Sequence, residues 1–390
     1  MRTLAISLLM LWALAPVASR AADESAKQPF ELVRDLQIFQ DQAVLKTKNA
    51  RAEQKERVAK VAAQLIEFDN KVWADPRNAR AAVIYVLGGG DPRVLRKLTG
   101  VGGETGIDER LINGALAYGE RRDAEATKLL EGIDVDSLDR SIGGHVALVS
   151  ALLVVDSDPR KAFALLDRAR LAAPGTIVEE AALRRQAILA AKLDDLDAFE
   201  ALSSQYFRRF AGSIFVSSFE RQFAQAVVSH AYGTDAKRLA NLQTLLRGLS
   251  EVERRQTCLA LAEEGIAVGS VEVVRLAARM ASVNAKAQPL DTMRLLLFEA
   301  AALVATPDSE QGRLALWLVD KSKLGAREEA LLHAALSVAD AVARPPSFGA
   351  APSAPEKAAG EPGDSATSGV ISDAQSAIAR VDGLLSETSR

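Results

Sequence analysis

Very little in this chain is suited to chemistry. Its 390 residues hold one cysteine, three histidines and only 5% aromatic residues. A lone cysteine excludes a disulfide framework. Cys258 falls at the apolar position of Cys258-Leu259-Ala260-Leu261, which predicts a buried, inert thiol. A metal site needs three or four converging ligands, and His145, His230 and His333 are scattered, with no HExxH, no His-x-x-x-His and no carboxylates at ligand spacing. No GxSxG occurs either. The expectation is therefore a protein without metal, cofactor, small-molecule substrate or catalytic residues. Charge of one sign is also missing: 48 basic against 51 acidic residues give −3, with no basic block, which argues against nucleic acid or an anionic membrane surface as partner. No stretch alternates apolar and polar residues as a half-buried strand would.

Long apolar runs are absent except at the start. Leu4 to Ala15, behind Arg2 and ahead of Ser19-Arg20-Ala21, is shorter than the roughly 20 residues a bilayer span needs and has the layout of a secretory signal. Residues 1–21 are thus expected to be removed, leaving a periplasmic chain from Ala22 that does not insert in the membrane. Losing Arg2 and Arg20 takes the net charge from −3 to −5.

What is present is helical punctuation. The hydrophobic share is 48%, and with few rings it rests on Ala, Leu and Val, which suit close-packed helices. Leu32, Leu36, Phe39 and Ala43 line one face of a helix from Pro29. Val58, Val61, Leu65, Phe68 and Val72 line a second. Asp75-Pro76 and Asp91-Pro92 are paired start signals, Asp as N-cap and Pro in the first turn. Gly88-Gly89-Gly90 and the Gly100–Gly106 stretch lack the Lys-Ser or Lys-Thr of a phosphate loop and read as helix stops. Later helices are expected over Ser217–His230, Lys237–Leu249, Glu251–Ile266, Val271–Ala285, Leu290–Ala305, Ser309–Lys323 and Ala326–Ala343. The expected fold is all-α: stacked antiparallel helical hairpins in a loosely tetratricopeptide-like α-solenoid. The expected segments are 22–150 (N-terminal hairpins), 151–343 (helical-repeat body), 344–369 (a disordered Pro/Ala/Ser/Gly linker) and 370–390. In the last, a capping box of Ser372 and Gln375 starts a short amphipathic helix bearing Ala374, Ile378, Val381 and Leu385.

The stretch APGTIVEEAALRR, Ala173 to Arg185, is the pivot. Pro174-Gly175 ends one helix and Thr176 starts the next. Glu180 and Arg184 form one i, i+4 pair, worth about 0.3–0.5 kcal/mol if exposed. Arg185 falls inside the arc that should face neighbouring helices, so it must pair within the molecule, which is the reading preferred here, or emerge into a groove and meet a partner. Glu179, Arg184 and Arg185 are the candidate partner-binding residues.

Three stretches, FELVRDLQIFQDQAVL, DPRNARAAVIYVLGGGDPRVLRKL from Asp75 and SDPRKAFALLDRARLAAPGTIVEEAALRR from Ser157, together resemble the MotC family of periplasmic motility proteins of rhizobia and related bacteria. The resemblance runs over Phe30 to about Ala343 and implies a non-enzymatic flagellar-motor protein that binds the periplasmic portion of the stator protein MotB. It carries over no site residues. Two other classes stay open: a generic periplasmic scaffold in envelope assembly, and the helical part of a cell-wall lytic enzyme, for whose lysozyme-like domain the terminal linker and short helix leave no room.

Overall fold

The computed structural model describes residues 27–46, 50–99, 105–282 and 289–344. The expected signal peptide, nearly all of the linker and the C-terminal helix lie outside them. Among the described residues there are helices and turns but no strand. The α-helices are α1 (Pro29–Lys46), α2 (Ala50–Glu67), α3 (Pro76–Leu87), α4 (Arg93–Thr99), α5 (Glu109–Gly119), α6 (Asp123–Glu131), α7 (Arg140–Val154), α8 (Pro159–Ala172) and α9 (Ile177–Lys192). The second half continues with α10 (Leu196–Phe210), α11 (Val216–Ser229), α12 (Ala236–Arg247), α13 (Glu251–Ala267), α14 (Val271–Ser282), α15 (Pro289–Leu303), α16 (Ser309–Trp317) and α17 (Ala326–Ala343).

Aspartate is the recurrent start signal. The carboxylates of Asp75, Asp108, Asp139, Asp158, Asp195 and Asp235 each accept from a backbone N–H in the first turn of the following helix, a contact worth about 1 kcal/mol per cap. Ser250 and Glu253 close a full capping box on α13. Two expected helices stop early for the same reason. The face running to Phe68 and Val72 breaks after Glu67, because Asp69 accepts from the Lys71 N–H and starts a 3-10 turn. The helix expected to reach Lys323 ends at Trp317, and Asp320 caps a separate 3-10 turn over Lys321–Lys323.

Neighbours in sequence pack as neighbours in space: α5 on α6, α7 on α8, α8 on α9, α9 on α10, α13 on α14 and α15 on α16. These are the stacked hairpins anticipated from the short turns. Residue 150 lies inside α7, and the described residues through Val342 belong to one unit. Three apolar clusters follow one another along it. The first draws on α1 to α9, the second on α9 to α15 with Val44 of α1, and the third on α15 to α17 with the turn before α17.

Helix α9 serves two of these cores. Val178, Ala182 and Leu189 of α9 belong to the first cluster, while Leu183, Ala187, Ala190 and Ala191 belong to the second. The alanines allow close approach on both sides. A helix buried on two sides shows no single apolar stripe. The aromatic residues, sparse overall, concentrate next to it: Phe199, Tyr206, Phe207, Phe210, Phe219 and Phe223 of α10 and α11 are all buried. Tyr206 and Phe219 lie 4.1 Å apart between ring centroids.

Candidate functional site

The turn into α9 is built from Gly175, which adopts φ +79°, a left-handed conformation that costs a residue with a Cβ roughly 1 kcal/mol or more. Three carboxyl or hydroxyl groups then satisfy N–H groups at or just before the helix start. Asp41 of α1 accepts from the Ile177 N–H at 2.8 Å, Thr176 from the Glu179 N–H at 3.4 Å, and Glu179 from the Gly175 N–H at 2.5 Å. Asp41 comes from 136 residues away, so the first helix clamps the ninth. Burial raises its pKa, and the Ile177 N–H offsets part of that rise.

From this start the candidate side chains diverge. Glu179 is buried and takes a bidentate pair from Arg209 at the end of α10, both contacts at 2.8 Å. Glu180 is fully buried. Its Oε1 accepts from the Tyr206 hydroxyl at 2.8 Å, from Arg184 Nε at 3.0 Å and from the Ser213 hydroxyl at 3.4 Å. The Arg184 side chain, 13% exposed, also lies over the Phe215 ring at 5.0 Å. The pair expected to decorate a helix surface is therefore a buried polar network joining α9, α10 and the turn before α11. Burial, followed by the negative charge of Glu180, pushes the Tyr206 hydroxyl well above its ordinary pKa.

Arg185 points the other way. Its Nη1 donates to the Ala181 carbonyl of its own helix at 3.0 Å, and among the described residues no carboxylate pairs with it. The intramolecular ion pair preferred for it does not form. Instead it lines a cavity of about 210 Å³ between α1, α3, α7 and α9, to which Val58 of α2 and Tyr118 of α5 also contribute. Apolar walls come from Val33, Leu36, Ile84, Leu148 and Val149; Gln37, Gln40 and His145 add polar atoms. Burial weakens the hold of the guanidinium on its proton, and the neighbouring charge of Arg184 acts in the same direction. His145 Nδ1 lies 3.2 Å from the Ser141 carbonyl. A carbonyl only accepts, so Nδ1 carries the hydrogen. Desolvation depresses His145 to about 4, so the ring is neutral at ordinary pH.

At the back of the cavity Gly88, Gly89 and Gly90 contribute backbone rather than a phosphate cradle. A Cβ on Gly90 would lie 2.3 Å from the Tyr85 ring, whose hydroxyl ties Val58 to Asp91 through bonds of 3.0 and 3.2 Å. Beside the cavity, and sharing Gln37 and His145 with it, a second hollow of about 410 Å³ is lined by Arg34, Ile38, Arg140 and Pro174. Ile38 and Pro174 are exposed there.

The remaining sequence candidates lie elsewhere. His230 is held by the Ala226 carbonyl at 2.8 Å and lies 3.5 Å from Asp194, and His333 is exposed on α17. Cys258 is buried as expected, its thiol pushed up to about 12 by desolvation. Among the described residues no three His, Cys, Asp or Glu side chains come together as a metal site, and no helix is long and apolar enough to cross a membrane. Reasoning from sequence missed Asp41, Tyr206, Arg209 and Ser213. Only Tyr206 had left a signal, a hydroxyl on the apolar face of α10 that needs a buried partner.

Against known proteins, the family model described as "Chemotaxis protein MotC" matches residues 1–390. A curated relative from Rhizobium meliloti (strain 1021), carrying that same name, is 31% identical over 336 residues, covering 85% of this chain and 77% of the relative. No solved structure matches.

Proposed function

The chain belongs to the MotC family, and on that premise we propose that it is a non-enzymatic protein of the flagellar motor, acting in the periplasm by binding the periplasmic portion of MotB so that the motor turns. Membership over the whole chain is the observation that carries this reading. The signal-like start, with its short apolar run ahead of Ser19-Arg20-Ala21, supports the compartment. Consecutive helical hairpins, which expose long ridged surfaces suited to holding another protein, support a binding role.

We place the partner contact at the α8–α9 turn. Exposed Ile38, Leu171 and Pro174 there supply apolar area, and Arg34 and Arg140 supply charge at the rim. In this proposal Glu179 and Arg184 hold the turn in shape from inside, and Arg185 lies behind it. A stable contact of this kind buries at least about 1,000 Å².

Deleting the gene tests the function. The expected strain assembles flagella that do not rotate, and crosslinks between the α8–α9 turn and MotB form in wild-type cells. Normal swimming, or no MotB crosslink in cells, overturns the motor role and leaves a general envelope scaffold.

A further inference from the structure

We propose that the cavity beside Arg185 is a binding site for a small amphiphilic monocarboxylate, of about the size of benzoate. Three observations carry it, and none depends on the motor role.

The first is charge. Among the described residues, several partly buried arginines meet carboxylates: Arg170 with Asp167 at 2.6 Å, Arg184 with Glu180 at 3.0 Å, Arg238 with Glu200 at 3.0 Å and Arg255 with Asp291 at 3.3 Å, while Arg254 donates to the Met280 and Leu249 carbonyls at 3.1 and 3.3 Å. Arg185 donates to the Ala181 carbonyl and pairs with no carboxylate among the described residues; Glu180 and Tyr118 act on it only at longer range. A guanidinium presents five donors in a planar fork that fits a carboxylate in two parallel bonds, and most of that fork is unused. With His145 neutral, and no Asp or Glu in the lining, the cavity holds one positive charge and no negative one.

The second is size and wall chemistry. An apolar cavity of about 150 Å³ holds one benzene; this one, at about 210 Å³, has room for a ring or short alkyl chain plus one carboxylate. Val33, Leu36, Leu148 and Val149 face the apolar part, and burying it is worth about 25 cal/mol per Å².

The third is access. The adjoining hollow shares Gln37 and His145 with the cavity and bears Arg34 and Arg140. Asp41 also borders it, its Oδ1 accepting from the Ile177 N–H, so an anion on its way to Arg185 meets two cations against one carboxyl group.

Calorimetric titration of the folded chain with benzoate and with benzyl alcohol tests the site. Benzoate should bind one to one and at least about tenfold more tightly than the alcohol, which lacks the charge, and should shift the His145 ring resonances. Arg185→Met should abolish that preference. Ala181→Leu, which fills the cavity and keeps the arginine, should weaken both ligands. Equal binding of the two ligands by the wild-type chain, no binding of either, or a benzoate preference that survives Arg185→Met overturns the proposal. The wild-type comparison decides the matter even where a variant does not fold.

Discussion

Arg184 and Arg185 are adjacent in sequence and opposite in circumstance. A step of one residue turns a helix by about 100°, and across that step α9 passes from one apolar core to the other. On the Arg184 side every charge is answered: Glu180 takes Arg184 and Tyr206, and Glu179 takes Arg209. On the Arg185 side a cation faces a cavity whose lining holds no carboxylate. A protein interior tolerates an unanswered charge only where water or a ligand reaches it. The first side is a clamp between elements; the second has the properties of a receptor. The contrast shows that residue type and helical position alone do not separate structural from functional arginines.

The comparison breaks first at Glu180. Replacing it by alanine strips the partner from a buried guanidinium and from the Tyr206 hydroxyl together, a loss of about 3–5 kcal/mol that urea unfolding would read directly. Arg184→Met, which strands the buried Glu180 carboxylate, should cost about 3 kcal/mol. Losses below about 1 kcal/mol for either would mean the network is not a clamp.

On the opposite side the largest expected effect is that of pH. The folded pKa of His145 is depressed from 6.5 to about 4, so the unfolded chain binds the proton more tightly. Its stability contribution is present above pH 6.5 and is lost as pH falls through 4, on the order of 1–3 kcal/mol in all. His145→Gln should flatten the stability profile across that window. An unchanged profile would show that the ring is already solvated.

Asp41 carries the opposite sign. Burial raises its pKa, so the folded state holds the proton more tightly and the carboxylate's contribution falls as pH rises past its ordinary range. Asp41→Asn keeps an oxygen for the Ile177 N–H and removes the buried charge. A change of under about 1 kcal/mol at neutral pH is expected by thermal unfolding, against a loss of about 1 kcal/mol or more for Asp41→Ala.

How far the sequence foretold this arrangement follows from the range of the interactions. Helix starts were legible because an N-cap is decided within three residues: Asp75-Pro76 and Asp91-Pro92 mark them outright, each Asp accepting from the N–H two residues on. Helix ends were less so, since Asp69 and Asp320 each restart the chain where apolar spacing alone continued the helix. The inward position of Arg185 could be read from the helical wheel, but its lack of a partner could not. The burial of Glu180 depends on Tyr206 and Ser213, 26 and 33 residues away, and the α9 cap on Asp41 still further off. The cavity has no sequence signature, since its lining is drawn from six helices spread between residues 33 and 185.

The smallest expected effect tests the central contrast most directly: the stability of Arg185→Met by urea unfolding, measured beside Arg184→Met. An unpaired, partly buried cation replaced by an apolar side chain should leave the free protein as stable as wild type or up to about 1 kcal/mol more stable, while the neighbouring substitution loses about 3 kcal/mol. A loss at Arg185 equal to that at Arg184 would contradict the account, because it would make both arginines parts of one structural network.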